Sequence, residues 1–203
     1  MFRIGLTGGI ATGKSEAARC FERLGALVIR ADDVARELVE PGGEALVALA
    51  AEFGAGILTP DGTLDRARLA RLAFASKGAT ARLNAILHPP LVEEIVRRLE
   101  KTESVRERGV VVVEAALLAE WDVLDLFDLV AVVRAPLEAR LARLERTGRG
   151  REDALARIGA QLPEADLLAA ADAVIENDGT LGRLEAEVRR IWDLVPDLER
   201  NAA

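Results

Sequence analysis

Gly8-Gly9-Ile10-Ala11-Thr12-Gly13-Lys14-Ser15 completes the pattern G-x-x-x-x-G-K-[ST], and what flanks it decides the fold. Before it, Arg3-Ile4-Gly5-Leu6-Thr7 reads as a short buried strand. After it, Glu16 to Leu24 reads as a helix stopped by Gly25. Strand, glycine loop and helix N-terminus are the setting in which this pattern cradles phosphate. Glycines let the backbone curl with its N–H groups inward, and the helix dipole adds positive potential at the same point. Lys14 is then placed to reach the β- and γ-phosphates, and the Ser15 hydroxyl to ligate Mg²⁺. The N–H of Glu16, in the first helical turn, is expected to point at the α-phosphate. A glycine-rich turn that merely happens to precede Lys-Ser does not account for four fixed positions in a strand–helix context. The chain reads as one that binds a nucleoside triphosphate.

Outward from this loop, apolar runs alternate with helical patterns, the signature of a parallel sheet with crossover helices. Leu27-Val28-Ile29 is the second strand, ending at Arg30-Ala31-Asp32-Asp33. Val110-Val111-Val112-Val113 is the third, continuous and β-branched, as befits a strand covered on both faces. Leu129 to Val133 is the fourth and Ala173-Val174-Ile175 the fifth. A last helix carries an apolar stripe at Leu181, Leu184, Val188, Ile191 and Val195. The fold class is α/β: a five-stranded parallel sheet of the P-loop NTPase type flanked by helices.

Two regions exceed a minimal alternation. Residues 34–109 are too long for a structureless crossover. They read as helices near 44–53, 65–75, 79–87 and 90–102, with Pro60-Asp61-Gly62 as a turn. His88-Pro89-Pro90 is expected to break one helix and start the next. The second region, 136–171, is helical and arginine-rich, with Arg140, Arg143, Arg146, Arg149, Arg151 and Arg157. The expected division is a nucleotide-binding core at 1–33, 104–135 and 172–203, a helical substrate domain at 34–103, and a lid at 136–171.

Composition bounds the rest. The 203 residues carry a net charge of −7, with 50% hydrophobic and 30% charged residues. That is a globular chain, and its acidity argues against nucleic acid as an obligate partner. No apolar run approaches the ~18 residues of a membrane span, and no signal-peptide pattern opens the chain. Cys20 is the single cysteine, so a disulfide framework or cysteine metal cluster is excluded and a buried thiol is expected. A soluble, cytoplasmic enzyme fits best.

Ligands of open α/β sheets sit beyond the carboxyl ends of the strands. Asp32 and Asp33 follow the second strand there. Either can cap the next helix, expected near Val34, and Asp32 can instead orient an alcohol and accept its proton. Glu114, after four valines, suits either a Mg²⁺-supporting acid or a buried hydrogen bond. His88, the only histidine, is either a ligand contact or simply the residue that ends a helix before proline. The arginines of 136–171 are either a solvated face or donors that stabilise charge on transferring phosphoryl oxygens.

At this point the residues match a known family. Thr7 to Ser15 resembles the opening of dephospho-coenzyme A kinases, Leu-Thr-Gly-Gly-Ile-Gly-Ser-Gly-Lys-Ser. Ala31-Asp32 with Val34-Ala35-Arg36 is similar to the family's Asp-Ala-Asp-x-x-Ala-Arg, and Leu87-His88-Pro89 to its Leu-His-Pro. Phe53-Gly54 followed by Asp61-Gly62-Thr63-Leu64-Asp65-Arg66 resembles its middle section. Leu117-Leu118 with Glu120 resembles Asp-x-Pro-Leu-Leu-x-Glu, and Ala171 to Gly179 resembles Ala-Asp-x-Val-Ile-x-Asn-x-Gly. Arg30 replaces the first Asp of Asp-Ala-Asp, Glu114 replaces Asp, Ala116 replaces Pro, and the lid arginines stand one residue out of register.

The resemblance implies ATP-dependent phosphorylation of the ribose 3′-hydroxyl of dephospho-coenzyme A, with Mg²⁺. It implies catalysis by Asp32, Lys14 and a lid arginine, Arg140 first, with Arg143 and Arg146 as the other candidates. ATP would be bound by Gly9, Ala11, Thr12, Gly13, Lys14, Ser15 and Glu16, the acceptor by Thr7, Asp32, Arg36 and His88, and the metal by Ser15. The alternatives are another small-molecule P-loop kinase acting on a nucleoside or nucleotide, or a nucleotide-switch NTPase. The absence of an Asn-Lys-x-Asp guanine-reading sequence counts against the switch.

Overall fold

Strands whose every residue is apolar must be covered on both faces, and the valine run shows it. In the computed structural model, which describes residues 1–121, 123–148 and 150–196, Val110 to Val113 are all buried. The elements in chain order are β1 (Phe2–Thr7), α1 (Lys14–Arg23), β2 (Leu27–Arg30), α2 (Ala31–Leu38), α3 (Glu44–Phe53), α4 (Arg66–Ala73) and α5 (Lys77–Val105). They continue as β3 (Val110–Glu114), β4 (Leu129–Arg134), α6 (Leu137–Glu145), α7 (Arg151–Gly159), α8 (Glu164–Ala169), β5 (Ala173–Glu176) and α9 (Leu181–Trp192). The sheet order is β2-β3-β1-β4-β5. β1 pairs parallel with β3 on one side and β4 on the other, and β4 pairs parallel with β5. The loop after β1 therefore leaves the sheet at its centre, where successive connections part to opposite sides.

The chain forms two compact units, one of Met1–Ile29 with Thr102–Ala203 and one of Arg30–Lys101. In the first, α1 and α9 lay Ala17, Ala18, Phe21, Leu184, Val188 and Ile191 against Ile4, Leu6, Val110, Val112, Ala131 and Val133 of the strands. Cys20 belongs to this core at 3% exposure, and burial pushes its thiol pKa up. The stripe expected on the last helix holds at Leu184, Val188 and Ile191. Leu181 is half exposed at the helix start, and Val195 is buried beyond the helix end. Arg3 on β1 clamps Glu103 with two hydrogen bonds of 2.8 and 2.7 Å, holding that carboxyl below the usual carboxylate range.

The second unit is helical. Leu49, Ile57, Leu69 and Ala73 form its buried cluster, with Leu83, Ile86 and Leu87 of α5 packed on it. The break expected at His88-Pro89-Pro90 does not occur: α5 runs through both prolines. Proline's fixed φ is itself helical, and what it removes is a backbone bond. Burial before the pair, on that cluster, and after it, at Leu91, Ile95 and Leu99, holds the helix together across the missing bonds. Arg98 then donates to Glu94 on its own helix (2.8 Å) and to Glu37 of α2, tying α2 to α5. The Glu94 carboxyl is held at about 2, chiefly by its hydrogen bond to Arg97.

The helix expected near Val34 starts earlier, at Ala31, with Arg30 as its N-cap and no side-chain cap bond. Asp33 is thus not a cap. It lies inside the first turn, where a negative charge meets the positive helix end, and pairs with Arg36 at 2.8 Å.

Candidate active site

The phosphate loop is built by backbone that only glycine, or a residue held by its surroundings, adopts. Gly13 has φ 98, and Ala11 is the one positive-φ non-glycine among the described residues, at φ 60. At Gly13 a Cβ would stand 2.2 Å from Asn177 Nδ2. At Gly9 it would stand 2.6 Å from an Arg140 guanidinium nitrogen. Both glycines therefore serve close approach as much as curvature.

Lys14 opens α1 and curls back over the loop, its Nζ donating to the carbonyls of Gly8 (2.7 Å) and Gly9 (3.1 Å). A cation is so held above a ring of backbone at a helix N-terminus, where anions bind. The Ser15 hydroxyl donates to Glu114 Oε1 at 2.7 Å. Parallel register sets this pair: Leu6 of β1 lies opposite Glu114 of β3, so the strand-end acid arrives beside the start of α1. Hydroxyl and carboxylate are hard oxygen donors, the type Mg²⁺ takes, with phosphate oxygens and water filling the remaining positions. The residues fit that ion. Thr7, fully buried at the end of β1, donates its hydroxyl to Ala116 O at 3.3 Å.

The Glu16 N–H closes the first turn of α1 on the Gly13 carbonyl at 3.1 Å, and the Glu16 side chain pairs with Arg19. The helix begins at Lys14, so the third helical N–H already has an acceptor within the loop.

The arginine-rich segment is no solvated face where it meets the loop. Arg140, 7% exposed, donates through Nε to Ile10 O at 2.9 Å. Arg143 donates to Ala11 O (2.9 Å), Thr12 O (3.0 Å) and Asn177 O (3.2 Å). Burial lowers the pKa of both guanidiniums. Ile10 and Ala11 pack on Leu141, Leu144 and Ala154, so the loop apex sits in the apolar cluster of α6 and α7. Arg146 is exposed at the end of α6, Arg151 pairs with Glu138 and Arg157 with Asp153. Arg149 lies outside the described residues.

Sequence reasoning missed two participants. Asn177, directly after β5 and 6% exposed, donates to Thr12 O at 2.7 Å. Its position at a strand's carboxyl end was the available signal. Gln161, after α7, accepts from the Ile10 N–H at 2.6 Å and carried no local signal.

On the helical unit, Asp32 is exposed in the first turn of α2, and Arg36 stands one turn later on the same helix, held by Asp33. His88 is half-buried in α5. Burial lowers its pKa from the ordinary 6.5, so its imidazole is neutral at pH 7.

Residues 2–183 match the family model described as dephospho-CoA kinase. The chain is 47% identical to the dephospho-CoA kinase of Corynebacterium glutamicum, over 94% of this chain and 96% of that one. It is 45% identical to that of Frankia casuarinae, over 95% and 82%. Its backbone resembles the solved dephospho-CoA kinase of Campylobacter jejuni with a TM-score of 0.70 at 25% identity, covering 94% of this chain and 95% of that one. The chain belongs to the dephospho-CoA kinase family.

Proposed function

We propose that the chain transfers the γ-phosphate of ATP to the ribose 3′-hydroxyl of dephospho-coenzyme A, giving coenzyme A and ADP, the last step of coenzyme A synthesis. The observation that carries this reading is the Lys14–Ser15 loop at the centre of the sheet, gripped by the buried Arg140 and the half-buried Arg143. Positioning and charge stabilisation supply most of the catalysis in phosphoryl transfer. In this reading Gly9, Ala11, Thr12, Gly13 and the backbone N–H of Glu16 wrap the phosphates, and the Lys14 ammonium exchanges its loop carbonyls for β- and γ-phosphate oxygens. Arg140 stands beside Gly9 to meet charge that grows on the transferring group. Mg²⁺, held by Ser15 with Glu114 behind it, would neutralise charge on the bridging phosphates.

Asp32 orients the acceptor hydroxyl and takes its proton. Arg36, His88 and Thr7 bind the acceptor, with His88 acting as a neutral hydrogen-bonding group. The core of 1–33, 104–135 and 172–203 then holds ATP, residues 34–103 hold the acceptor, and 136–171 form the lid. Residues 197–203 lie outside the described residues. No helix among the described residues is long and apolar enough to cross a membrane. A cytoplasmic setting, where ATP is supplied, accords with the reading.

The test is an acceptor panel. ADP release with ATP and Mg²⁺ is measured with dephospho-coenzyme A, with adenosine, with AMP, and with no acceptor. Release that depends on dephospho-coenzyme A alone is the expected outcome. Equal release without any acceptor overturns the proposal.

The lid arginines differ in burial, and their replacements are expected to differ too. Arg140→Ala should lower kcat by roughly 10²-fold or more, the scale of one lost charge-stabilising donor. Arg143→Ala should raise the KM for ATP, because it frees the Ala11 carbonyl and leaves Thr12 O to Asn177 alone. Arg146→Ala should leave both constants within about twofold, as expected of an exposed site with no such contacts. Steady-state kinetics on the three variants checks the order.

A further inference from the structure

We infer that Gln161 is a positioning residue of the phosphate loop, fixing the peptide plane between Gly9 and Ile10 on which Lys14 rests. This extends the kinase reading above. That peptide has two polar ends. Its carbonyl, Gly9 O, accepts from Lys14 Nζ (3.1 Å), Thr12 Oγ1 (2.9 Å) and Thr12 N (3.3 Å). Its N–H, on Ile10, donates to Gln161 Oε1 at 2.6 Å. The next carbonyl, Ile10 O, accepts from Arg140 at 2.9 Å, and Ala11 and Thr12 O accept from Arg143. Arg140, Arg143 and Asn177 thus hold the apex by donating to carbonyls, and Gln161 holds it by accepting an N–H.

That difference in sense matters beside an anion. A loop N–H is drawn toward phosphate, and glycine at position 9 puts little steric resistance in the way of rotating the plane. Rotation would swing the Gly9 carbonyl away from Lys14 and Thr12 and bring the Ile10 N–H inward. Gln161 opposes it by giving the Ile10 N–H an acceptor on the lid side. The residue that follows, Ala11, keeps its left-handed φ of 60 only while its neighbours are held. Gln161 stands in the turn between α7 and α8, half-buried, and its amide oxygen is 3.4 Å from where a Gly9 Cβ would be. Ile158, three residues earlier, packs with Ile10 and Ala11 in the same apolar cluster, so the turn is anchored to the loop it serves.

The test uses Gln161→Leu, which removes the acceptor, and Gln161→Glu, which keeps one. Amide hydrogen exchange is followed by NMR on the free protein, and ATP affinity is measured by calorimetry. In Gln161→Leu the Ile10 N–H is expected to exchange about tenfold faster, with amides of α1 and β3 unchanged. ATP affinity should fall roughly three- to tenfold, the worth of one net hydrogen bond. Gln161→Glu should retain Ile10 protection. Should the leucine variant not fold, Gln161→Asn, with the same chemistry but one carbon too short to reach, takes its place with the same expectations. Unchanged exchange at Ile10, or a uniform acceleration across α1 and β3, overturns the inference, as does unchanged ATP affinity. Neither readout needs an acceptor, so a wild-type protein that fails to phosphorylate dephospho-coenzyme A would sink the proposed reaction and leave this inference to be decided separately.

Discussion

Replacing Lys14 by alanine is expected to reduce turnover by at least about 10²–10³-fold, with the fold intact. The magnitude is that of one preorganised cationic donor removed from developing charge in a water-poor site. The fold should survive, because the Lys14 hydrogen bonds to the Gly8 and Gly9 carbonyls lie on the loop and not in a hydrophobic core. Those carbonyls retain other donors at Gly9, through Thr12. Loss of stability should be about 1 kcal/mol, in line with a net hydrogen bond. Steady-state kinetics beside a thermal melt measures both, and near-wild-type kinase activity in the purified variant would refute the assignment.

The second large effect is expected at Asp32. Asp32→Asn keeps shape and removes charge, and should lower kcat by roughly 10²–10⁴-fold, the range of general base catalysis. ATP affinity should be nearly unchanged, since the loop is built by β1, α1 and the α6–α7 cluster. Asp33→Asn is the control. Its carboxylate makes a half-exposed pair with Arg36 one turn along α2, an interaction worth about 0–1 kcal/mol. Only a modest change in stability should follow. A catalytic collapse in Asp33→Asn with an active Asp32→Asn enzyme would place the base one residue away from where we assign it.

These two aspartates also show how far the sequence could be read. All five strands were legible as apolar runs, most plainly β3 and β4, which are covered on both faces. The edge strands β2 and β5 are less buried and show only three apolar residues each. The start of α2 was not. Aspartate is favourable both as an N-cap and inside the first turn, and Arg30, a poor cap, gave no sign that the helix begins at Ala31. Nor was the continuity of α5, since the local cost of Pro89 and Pro90 is plain in the sequence. The packing that outweighs it, at Leu83, Ile86, Leu91 and Ile95, depends on the assembled unit.

The site divides in the same way. Lys14 and Ser15 are fixed by spacing inside one motif. The Ser15–Glu114 bond joins residues 99 apart and exists because Leu6 and Glu114 share a register position. Gln161 acts on a backbone N–H 151 residues away, and a backbone group has no sequence signature. Arg140 and Arg143 were visible as arginines in a lid-like segment. Their separation from Arg146 came only with burial on the loop.

The central claim is transfer of the γ-phosphate to one hydroxyl of one acceptor, and phosphorus NMR of the product tests it most directly. The purified protein is incubated with ATP, Mg²⁺ and dephospho-coenzyme A, and the new resonance is assigned by its coupling to the ribose protons. The account predicts one new phosphomonoester on the 3′ oxygen, formed in step with ADP. Inorganic phosphate as the phosphorus product, or a phosphomonoester on any other oxygen, would contradict it.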